Sequence, residues 1–315
     1  MRNITLFDTS ISSDNLGDGI IMDAVRRHLK EIYPPDNFVS VPTHIPLTSA
    51  QRGSIKNNDM AFVGGTNLLC AYWLLKPQWK IGIIEALTLP NPILMGVGWR
   101  FYQRPTDIAT KIFLRKLLSK KYIHSVRDSY TEERLKKINI HNVINTACPT
   151  MWQLTPEHCD SIPTERSASV MTTVTAYHHN PELDRKWLEV LTNNYEKVYL
   201  WPQMSGDDEY VKNMNLGDKI EILEPSLAAY DNALETLDVD FLGTRLHGGI
   251  RAMQNKRRTL IIEVDNRAAE IARDTGLPTV KRDDTQKMLS WINGEVTTKL
   301  TLPWENINRW KSQFK

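Results

Sequence analysis

The sequence predicts an α/β protein with two similar domains, whose parallel sheets face each other across a central cleft. Short apolar runs alternate with longer segments of helical periodicity, which is typical of parallel βαβ units. This alternation stops near the middle of the chain and then starts again. With 315 residues, the chain is long enough for two domains of about 150 residues each.

The first domain is predicted to span residues 1–150. Ile4–Phe7 has the pattern of a strand, and Gly19–Lys30 carries its apolar residues along one helical stripe. Met60–Val63 and Ile93–Val97 are predicted strands that are followed by glycine. The remaining predicted elements are the helix Asp107–Leu118, the strand Tyr122–Val126, the helix Tyr130–Lys137 and the strand Asn142–Ile144.

The second domain is predicted to span residues 165–300, after a proline-rich linker at Cys148–Ser167 without a clear period. Its predicted strands are Ser169–Val174, Lys197–Trp201, Val239–Leu242 and Thr259–Ile262, and its predicted helices are Pro181–Thr192, Ser226–Leu234, Gly248–Met253, Arg267–Arg273 and Thr285–Asn293. Residues 301–315 are expected to form a helix that packs back on the first domain. The alternative is that its apolar residues, Trp304, Ile307 and Trp310, anchor it at a membrane surface.

Composition argues against several classes of protein. The net charge is only +2, from 39 Lys and Arg against 37 Asp and Glu, which does not favour a nucleic-acid partner. Cys70, Cys148 and Cys159 form no CxxC pair, so a disulfide framework or zinc site is not expected and a reducing cytoplasm fits. Met1–Asp8 lacks the apolar core of a signal peptide, and charge and proline interrupt Ile81–Trp99, the most apolar stretch.

The strongest candidate for chemistry is Gly243–Gly249, which follows a predicted strand and opens a predicted helix. Backbone N–H groups at a helix start attract anions, and glycines let a ligand approach closely. Arg245 adds a planar, permanently charged fork suited to phosphate or carboxylate, and His247 adds an acid/base group. The alternative interpretation is a tight turn with a surface arginine and a histidine satisfied within the fold.

A second candidate is the segment Asp14–Gly19, between the first strand and the first helix. Asp14, Asn15 and Asp18 are suited to hydrogen bonding with sugar hydroxyls, and Asp18 is suited to act as a general base. The same residue types are also ordinary turn and helix-capping residues, so both interpretations stay open.

Three further motifs follow predicted strands. The run Gly64-Gly65-Thr66-Asn67 permits close backbone approach to a ligand, or is an ordinary turn. Arg127 points into the cleft in one interpretation and pairs with a helix-capping Asp128 in the other. Arg267 follows the strand after the Arg-His helix and is expected to line the same site, unless it only pairs with Glu270 one turn later.

No metal or cofactor is expected. The sequence has neither the GxGxxG pattern nor a P-loop, so ATP and NAD lack support. His178 and His179 are adjacent in an extended segment, where two histidines do not readily converge on one ion, and no third ligand is placed by spacing.

Five of these pieces occur in the order of a known family. Asn15-Leu16-Gly17-Asp18 is similar to an N-terminal Asn-x-Gly-Asp signature, Gly64-Gly65 to a glycine pair, and Ser125-Val126-Arg127-Asp128 to a Ser-x-Arg-Asp element. Gly243–Gly248 contains an Arg-Leu-His-Gly core, and Asp265-x-Arg267 with Glu270 is similar to the segment that follows it. Together they resemble the polysaccharide pyruvyl transferase family, from residue 15 to about residue 270.

The resemblance implies two Rossmann-like domains arranged as in GT-B glycosyltransferases, with the acceptor on the first domain and the donor on the second. It also implies transfer of a pyruvyl group from phosphoenolpyruvate to two hydroxyls of a sugar, forming a ketal in surface polysaccharide biosynthesis. The acceptor would be a sugar, an oligosaccharide or a lipid-linked saccharide, used in the cytoplasm near the inner face of the membrane.

The resemblance and the residue chemistry together assign roles to thirteen residues. His247 is the expected acid, and Asp18 is the second catalytic residue. The residues expected to bind the donor are Arg245, Leu246, Gly248, Thr244 and Arg267, and those expected to bind the acceptor are Asn15, Gly17, Gly65, Thr66, Asn67 and Arg127.

The sequence departs from the family pattern at one place. Relatives often carry an arginine just after the first strand of the second domain, whereas this chain has Thr173–His179, so His178 or His179 would have to substitute. The rival hypotheses are a GT-B glycosyltransferase that uses a nucleotide sugar, and a non-catalytic carbohydrate-binding protein of the same pathway.

Overall fold

A computed structural model of the chain describes residues 2–34, 36–75 and 77–315, which divide into two compact units. The first unit comprises the residues up to Ser13, Ile21–Trp152 and Leu302–Lys315, and the second comprises Asp14–Ile20 and Gln153–Thr301. This division differs from the predicted domain boundary at residue 150 in the placement of one segment that carries predicted site residues. The segment Asp14–Ile20, which was expected in the first domain, belongs by its contacts to the second unit.

The first unit is built on parallel strands. β1 (Asn3–Asp8), β2 (Asn37–Pro42), β3 (Met60–Gly64) and β4 (Ile93–Met95) form a sheet in the order β2-β1-β3-β4. β5 (His124–Val126) pairs in parallel with β6 (Val143–Asn145), and a parallel bridge between Val97 and Val126 continues the arrangement. The helices of this part are α1 (Leu16–Ile32), which belongs to this unit from Ile21 onward, α2 (Ser49–Ile55), α3 (Ile83–Thr88), α4 (Ile108–Leu117) and α5 (Ser129–Lys136).

The second unit has a six-stranded parallel sheet. Its strands are β7 (Ser169–Thr172), β8 (Lys197–Leu200), β9 (Ile220–Ile222), β10 (Val239–Gly243), β11 (Thr259–Glu263) and β12 (Thr279–Lys281). Their spatial order is β9-β8-β7-β10-β11-β12. Numbered within the unit, this is the order 3-2-1-4-5-6 of dinucleotide-binding Rossmann folds. The first three strands are added toward one edge of the sheet and the last three toward the other, so the switch point lies between β7 and β10.

The helices of the second unit are α6 (Pro156–Asp160), α7 (Pro181–Asn194), α8 (Asp207–Lys212), α9 (Leu227–Thr236), α10 (Leu246–Gln254), α11 (Asn266–Thr275) and α12 (Thr285–Asn293). Most begin at a side-chain cap, such as Ser226 on α9 and Asp265 on α11. α10 begins two residues earlier than predicted, so His247 and Gly248 lie in its first turn. Apolar residues of β7, β8 and α7 form the core of this unit, with Trp187 fully buried among them.

The last helix, α13 (Trp304–Ser312), belongs to the first unit. Trp310 and Phe314 lie edge-on to Phe62 of β3, with ring centroids 6.2 and 5.3 Å away, and Ile307 is buried. Ile307, Trp310 and Phe314 are therefore covered by the unit's own core, while Trp304 is partly buried, so the segment packs on the first unit as expected. Among the residues that the structure describes, no helix is long and apolar enough to cross a membrane.

His124 is a buried link between strands of the first unit. Its Nδ1 accepts a hydrogen bond from the backbone N–H of Leu94 at 3.1 Å, and its Nε2–H donates to the carbonyl of Ser119 at 2.9 Å. Both bonds are made by the neutral ring. Burial lowers the pKa of His124 to about 4.

We expect acidification to destabilise the first unit through this histidine. Its ordinary pKa is 6.5, so the contribution of the neutral ring is complete above pH 6.5 and is lost as the pH falls toward 4. The variant His124→Gln keeps a donor and an acceptor but does not titrate. Its unfolding midpoint, followed from pH 7 to pH 4, should decline less steeply than that of the wild type. Parallel declines would show that His124 does not carry the effect.

Candidate functional site

The candidate site lies at the carboxyl ends of β7 and β10, the switch point at which open parallel sheets bind ligands. The backbone N–H of Thr244 donates to the carbonyl of Thr173 at 2.9 Å, and the hydroxyls of Thr175 and Thr244 are 2.8 Å apart. A Cβ on Gly243 would lie 2.6 Å from the backbone N of Thr173. Glycine is therefore required where these two strands end.

Arg245 stands at the N-cap of α10 and is 4% exposed. Its backbone N–H donates to the Thr173 hydroxyl at 3.1 Å, and its Nε donates to the carbonyl of Val174 at 2.7 Å. Its Nη2 donates to both carboxylate oxygens of Asp207, at 2.8 and 2.6 Å. Within residues 2–34, 36–75 and 77–315, its buried Nη1 has no hydrogen-bond partner. The interpretation of Arg245 as a surface residue is wrong, because it is a fixed, buried cation with one donor group to spare.

Asp207 is the fully buried residue that fixes this arginine. It begins α8 and also accepts the backbone N–H groups of Ala176, Gln203 and Met204, at 3.1, 3.2 and 3.1 Å. These donors lie on the segments that follow β7 and β8, and Arg245 follows β10. One carboxylate thus ties three strand ends together. Sequence reasoning missed Asp207, since it stands in an acidic run at a helix start that is typical of ordinary capping.

Gln203 is a second residue that sequence reasoning missed. Its Nε2 donates to Oδ1 of Asn15 at 2.7 Å, and its carbonyl accepts the backbone N–H of Leu16 at 3.0 Å. Its Oε1 is buried and has no partner in the described part of the chain. A Cβ on Gly248 would come within 3.2 Å of that oxygen, which therefore borders the first turn of α10.

The segment of Asn15, Gly17 and Asp18 is held in the second unit by Gln203. Gly17 donates its N–H to Oδ1 of Asn15 at 3.1 Å, and a Cβ on Gly17 would lie 2.6 Å from Nε2 of Gln203. Asp18 is buried in the first turn of α1. The expected placement of these residues with the first domain is corrected, because their hydrogen bonds run to the segment after β8.

The first turn of α10 rests on an aromatic pair. Tyr230 donates its hydroxyl to the carbonyl of Gly248 at 2.8 Å and stacks on Trp201, with ring centroids 3.8 Å apart. His247 is 6% exposed in this turn. A Cβ on Gly249 would lie 2.6 Å from Ile261 of β11, so this glycine lets the helix approach the sheet.

Arg267 joins the same edge of the second unit through Tyr177. It donates to Asp265 at 2.8 Å and to the Tyr177 hydroxyl at 3.2 Å, while the ring of Tyr177 lies 4.9 Å from the guanidinium of Arg245. Burial opposes the charged form, but Asp265 and the bond to Tyr177 keep the pKa of Arg267 above its ordinary value. Glu270 bonds to Arg273 instead, so the alternative pairing of Arg267 with Glu270 is wrong.

The segment that lacks the expected arginine therefore contributes a tyrosine between two guanidinium groups. His178 accepts a bond from Arg282 at 2.8 Å through its backbone carbonyl, and a ring nitrogen of His179 lies 3.1 Å from the carbonyl of Ala176. In the described residues no group of three or more His, Cys, Asp or Glu side chains is suited to hold a metal ion.

The other predicted site residues converge within the first unit. Arg127 is buried and donates from Nη2 to Oδ1 of Asn67 at 2.5 Å and from Nε to Asp128 at 3.0 Å. Asp128 also caps α5 by accepting the N–H of Thr131 at 2.7 Å. Arg127 therefore pairs with the helix-capping Asp128, as one of the two interpretations predicted. Its Nη1 is nevertheless buried and has no hydrogen-bond partner among the described residues.

Gly65 and Thr66 precede Asn67 with left-handed backbones, at φ +44° and +54°. A Cβ on Gly65 would lie 2.1 Å from Cγ2 of Ile21, so glycine is required there. The carbonyl of Thr66 accepts the N–H of Gly98 at 2.8 Å. The residues expected to bind the acceptor are therefore divided: Asn15 and Gly17 belong to the second unit, and the other four belong to the first.

The fold defines the class of the protein. Solved structures that match the chain include Staphylococcus aureus MnaA with UDP, at 14% identity and a TM-score of 0.59, over 94% of this chain and 89% of that one. Methanocaldococcus jannaschii UDP-GlcNAc 2-epimerase with UDP-GlcNAc and UDP matches at 11% identity and a TM-score of 0.55, over 99% of this chain and 100% of that one. UDP-GlcNAc 2-epimerase from Neisseria meningitidis also matches, at 11% identity and a TM-score of 0.51, over 100% of this chain and 94% of that one. The predicted class, an α/β protein of two Rossmann-like units with the GT-B fold, is confirmed.

The family is established by sequence. The profile of the polysaccharide pyruvyl transferases matches residues 15–266, a span that runs from Asn15 to the start of α11 and includes twelve of the thirteen predicted site residues, all but Arg267. The chain therefore belongs to the polysaccharide pyruvyl transferase family, as the resemblance predicted. No curated protein sequence matches it significantly.

We expect Asp207→Asn to destabilise the second unit strongly. The change leaves Arg245 buried without a counter-charge, and breaking a buried ion pair from one side typically costs about 3–5 kcal/mol of unfolding free energy. The matched control is Asp208→Asn on the same helix turn, since Asp208 is more exposed and pairs with Lys212 at the surface, at 3.0 Å. Chemical denaturation measures both. Equal, small effects would contradict a central role for Asp207.

Proposed function

We propose that this protein transfers a pyruvyl group from phosphoenolpyruvate to two hydroxyls of a sugar, forming a ketal in surface polysaccharide biosynthesis. Family membership supports the type of reaction. The observation that carries the proposal is Arg245, which is buried at the start of α10 with one N–H group to spare. A small anion is the ligand that such a group and a helix N-terminus jointly attract.

The donor carries both a phosphate and a carboxylate. We assign the donor to Arg245 and the first turn of α10, with Thr244, Leu246 and Gly248 supplying backbone around it. Asp207 and the carbonyl of Val174 already hold the guanidinium in place, so little further ordering of this side chain is needed when the ligand binds. Arg267 provides a second cation near the same edge through Tyr177.

The proposed chemistry begins with a proton added to the methylene carbon of the donor, which makes C2 electrophilic. One sugar hydroxyl adds to C2, the bond to the phosphate oxygen breaks, and a second hydroxyl closes the ketal. The two hydroxyls release two protons, which balance the proton gained by the methyl group and the one taken up by phosphate. We assign His247 as the acid and Asp18 as the base for a hydroxyl. Both are buried in the second unit.

The acceptor contacts are assigned to two sets of residues, each held within its own unit. Asn15 and Gly17 form one set, fixed by Gln203. Gly65, Thr66, Asn67 and Arg127 form the other, in which Asn67 and Arg127 contact each other. Amide and guanidinium groups of this kind bind sugar hydroxyls by directed hydrogen bonds. No metal or cofactor enters the proposal. The three free, buried cysteines agree with a cytoplasmic location.

One observation favours a second candidate, a glycosyltransferase that uses a nucleotide sugar. The matching structure of MnaA contains UDP, and that of the M. jannaschii epimerase contains UDP-GlcNAc and UDP. On this hypothesis Arg245 and the α10 N-terminus would meet a diphosphate rather than phosphoenolpyruvate. A non-catalytic carbohydrate-binding protein remains the third hypothesis, and turnover separates it from both.

We expect phosphoenolpyruvate to bind the wild type, and the double variant Asp207→Asn/Arg245→Gln to bind it about 10- to 100-fold more weakly, as expected for the loss of a charged hydrogen-bond donor. Removing both partners of the ion pair avoids an uncompensated buried charge, so the variant should fold. His247→Asn should retain binding and lose turnover to the ketal. Isothermal titration and detection of the ketal product measure the two effects.

The matched control is Asp231→Asn/Arg251→Gln, because Arg251 and Asp231 also form a two-fold contact, at 2.7 and 2.6 Å, but near the other end of α10. This variant should bind the donor as the wild type does. Tight binding of UDP-sugars without binding of phosphoenolpyruvate would overturn the proposal and favour the glycosyltransferase. Binding of sugars alone, without turnover, would favour the non-catalytic protein.

A further inference from the structure

The first unit exposes a group of large aliphatic side chains on α3, α4 and the loop before α3. Their exposed fractions lie between 62% and 79%. We call them the apolar patch, which includes Leu74, Leu75, Ile83, Ile84, Ile108 and Ile112. None of the site residues described above belongs to it.

The three segments of the apolar patch are neighbours. The backbone N–H of Trp73 donates to the Thr110 hydroxyl of α4 at 2.8 Å, and its indole N–H donates to the carbonyl of Ile81 at 3.1 Å. The backbone N–H of Asp107 donates to the carbonyl of Ala71 at 3.2 Å. The loop is thus joined by hydrogen bonds to α4 and to Ile81 just before α3, and α3 and α4 contact each other, so the exposed aliphatic groups lie on neighbouring segments.

Each helix buries its opposite face in the core. α3 buries Ala86, and α4 buries Phe113 and Leu114, while Ile108 and Ile112 stand one turn apart on the outer side of α4. The exposed aliphatics are therefore not needed for packing these helices. Large aliphatic groups exposed together on neighbouring segments indicate an interaction site.

The segment of the chain that carries the apolar patch is basic. Residues 71–121 contain nine Lys and Arg but only two acidic residues, Glu85 and Asp107. Both acids are engaged within the fold: Glu85 pairs with Arg52 at 3.1 Å, and Asp107 caps α4. The outer side of α4 carries exposed Arg115 and Lys116 beside its two isoleucines.

We propose that the apolar patch docks the protein on a bilayer surface that contains anionic lipids. Aliphatic groups beside Lys and Arg on surface helices suit insertion at the boundary between acyl chains and negatively charged headgroups. If a second copy of the chain docked on this patch, the basic side chains of the two copies would face each other, and their repulsion would cost free energy. The inference does not depend on the identity of the donor, so its failure and that of pyruvyl transfer are distinguishable.

The test is co-sedimentation of the full chain with vesicles of phosphatidylcholine, alone or mixed with phosphatidylglycerol. We expect binding to the mixed vesicles that weakens as salt is added. Arg115→Glu/Lys116→Glu should weaken this partitioning by at least about tenfold, since each basic residue near the surface contributes attraction. Ile84→Ser/Ile112→Ser should weaken it as well, while both variants keep the wild-type unfolding midpoint.

The matched control is Arg185→Glu/Lys186→Glu, an exposed Arg-Lys pair on α7 of the second unit. It should bind vesicles as the wild type does, and an equal loss in this control would overturn the proposal. Absence of binding to the mixed vesicles, or binding indifferent to anionic lipid, would also overturn it. If sedimentation shows that Ile84→Ser/Ile112→Ser converts a dimer into a monomer while no vesicle binding occurs, the patch is an interface between copies.

Discussion

The buried ion pair between Asp207 and Arg245 is the interaction on which the candidate site depends. Removing two charges from water is costly, and the cost is offset only where further hydrogen bonds satisfy them. Asp207 meets this condition with three backbone N–H groups in addition to Arg245. Because those donors follow different strands, the pair also fixes the mutual position of the loops at the switch point. The start of α10 is therefore in place before any ligand arrives.

Close packing places a second constraint on the same helix. Gly243 packs against the backbone of Thr173 and Gly249 packs against Ile261, so neither position has room for a side chain. Tyr230 supports the first turn from the other side. The glycines around the Arg-Leu-His core thus serve the approach of helix to sheet.

The sequence was sufficient for the central strands, for most of the longer helices and for the glycine turns after the strands, because hydrophobic periodicity and turn residues are local signals. It was insufficient where partners are distant in the chain. Asp207 and Arg245 are 38 residues apart, and Gln203 and Asn15 are 188 apart. Edge strands such as β9 were also missed, because β9 has only three residues and these are not fully buried, so it gives a weak hydrophobic pattern. The pairing of Glu270 with Arg273 rather than Arg267 depends on side-chain direction, which spacing alone does not give.

The charge of the pair also bears on how the site would select a ligand. The charge of Arg245 is already balanced by Asp207, so an anion gains little from net attraction to the two together. What Arg245 still offers is a directed N–H group at Nη1, next to the dipole of α10. Selection would then rest on geometry, with one oxygen placed for the guanidinium and another for the helix N–H groups. A lysine at this position would keep the charge and lose the planar fork that bonds Asp207 and Val174 while leaving Nη1 for a ligand.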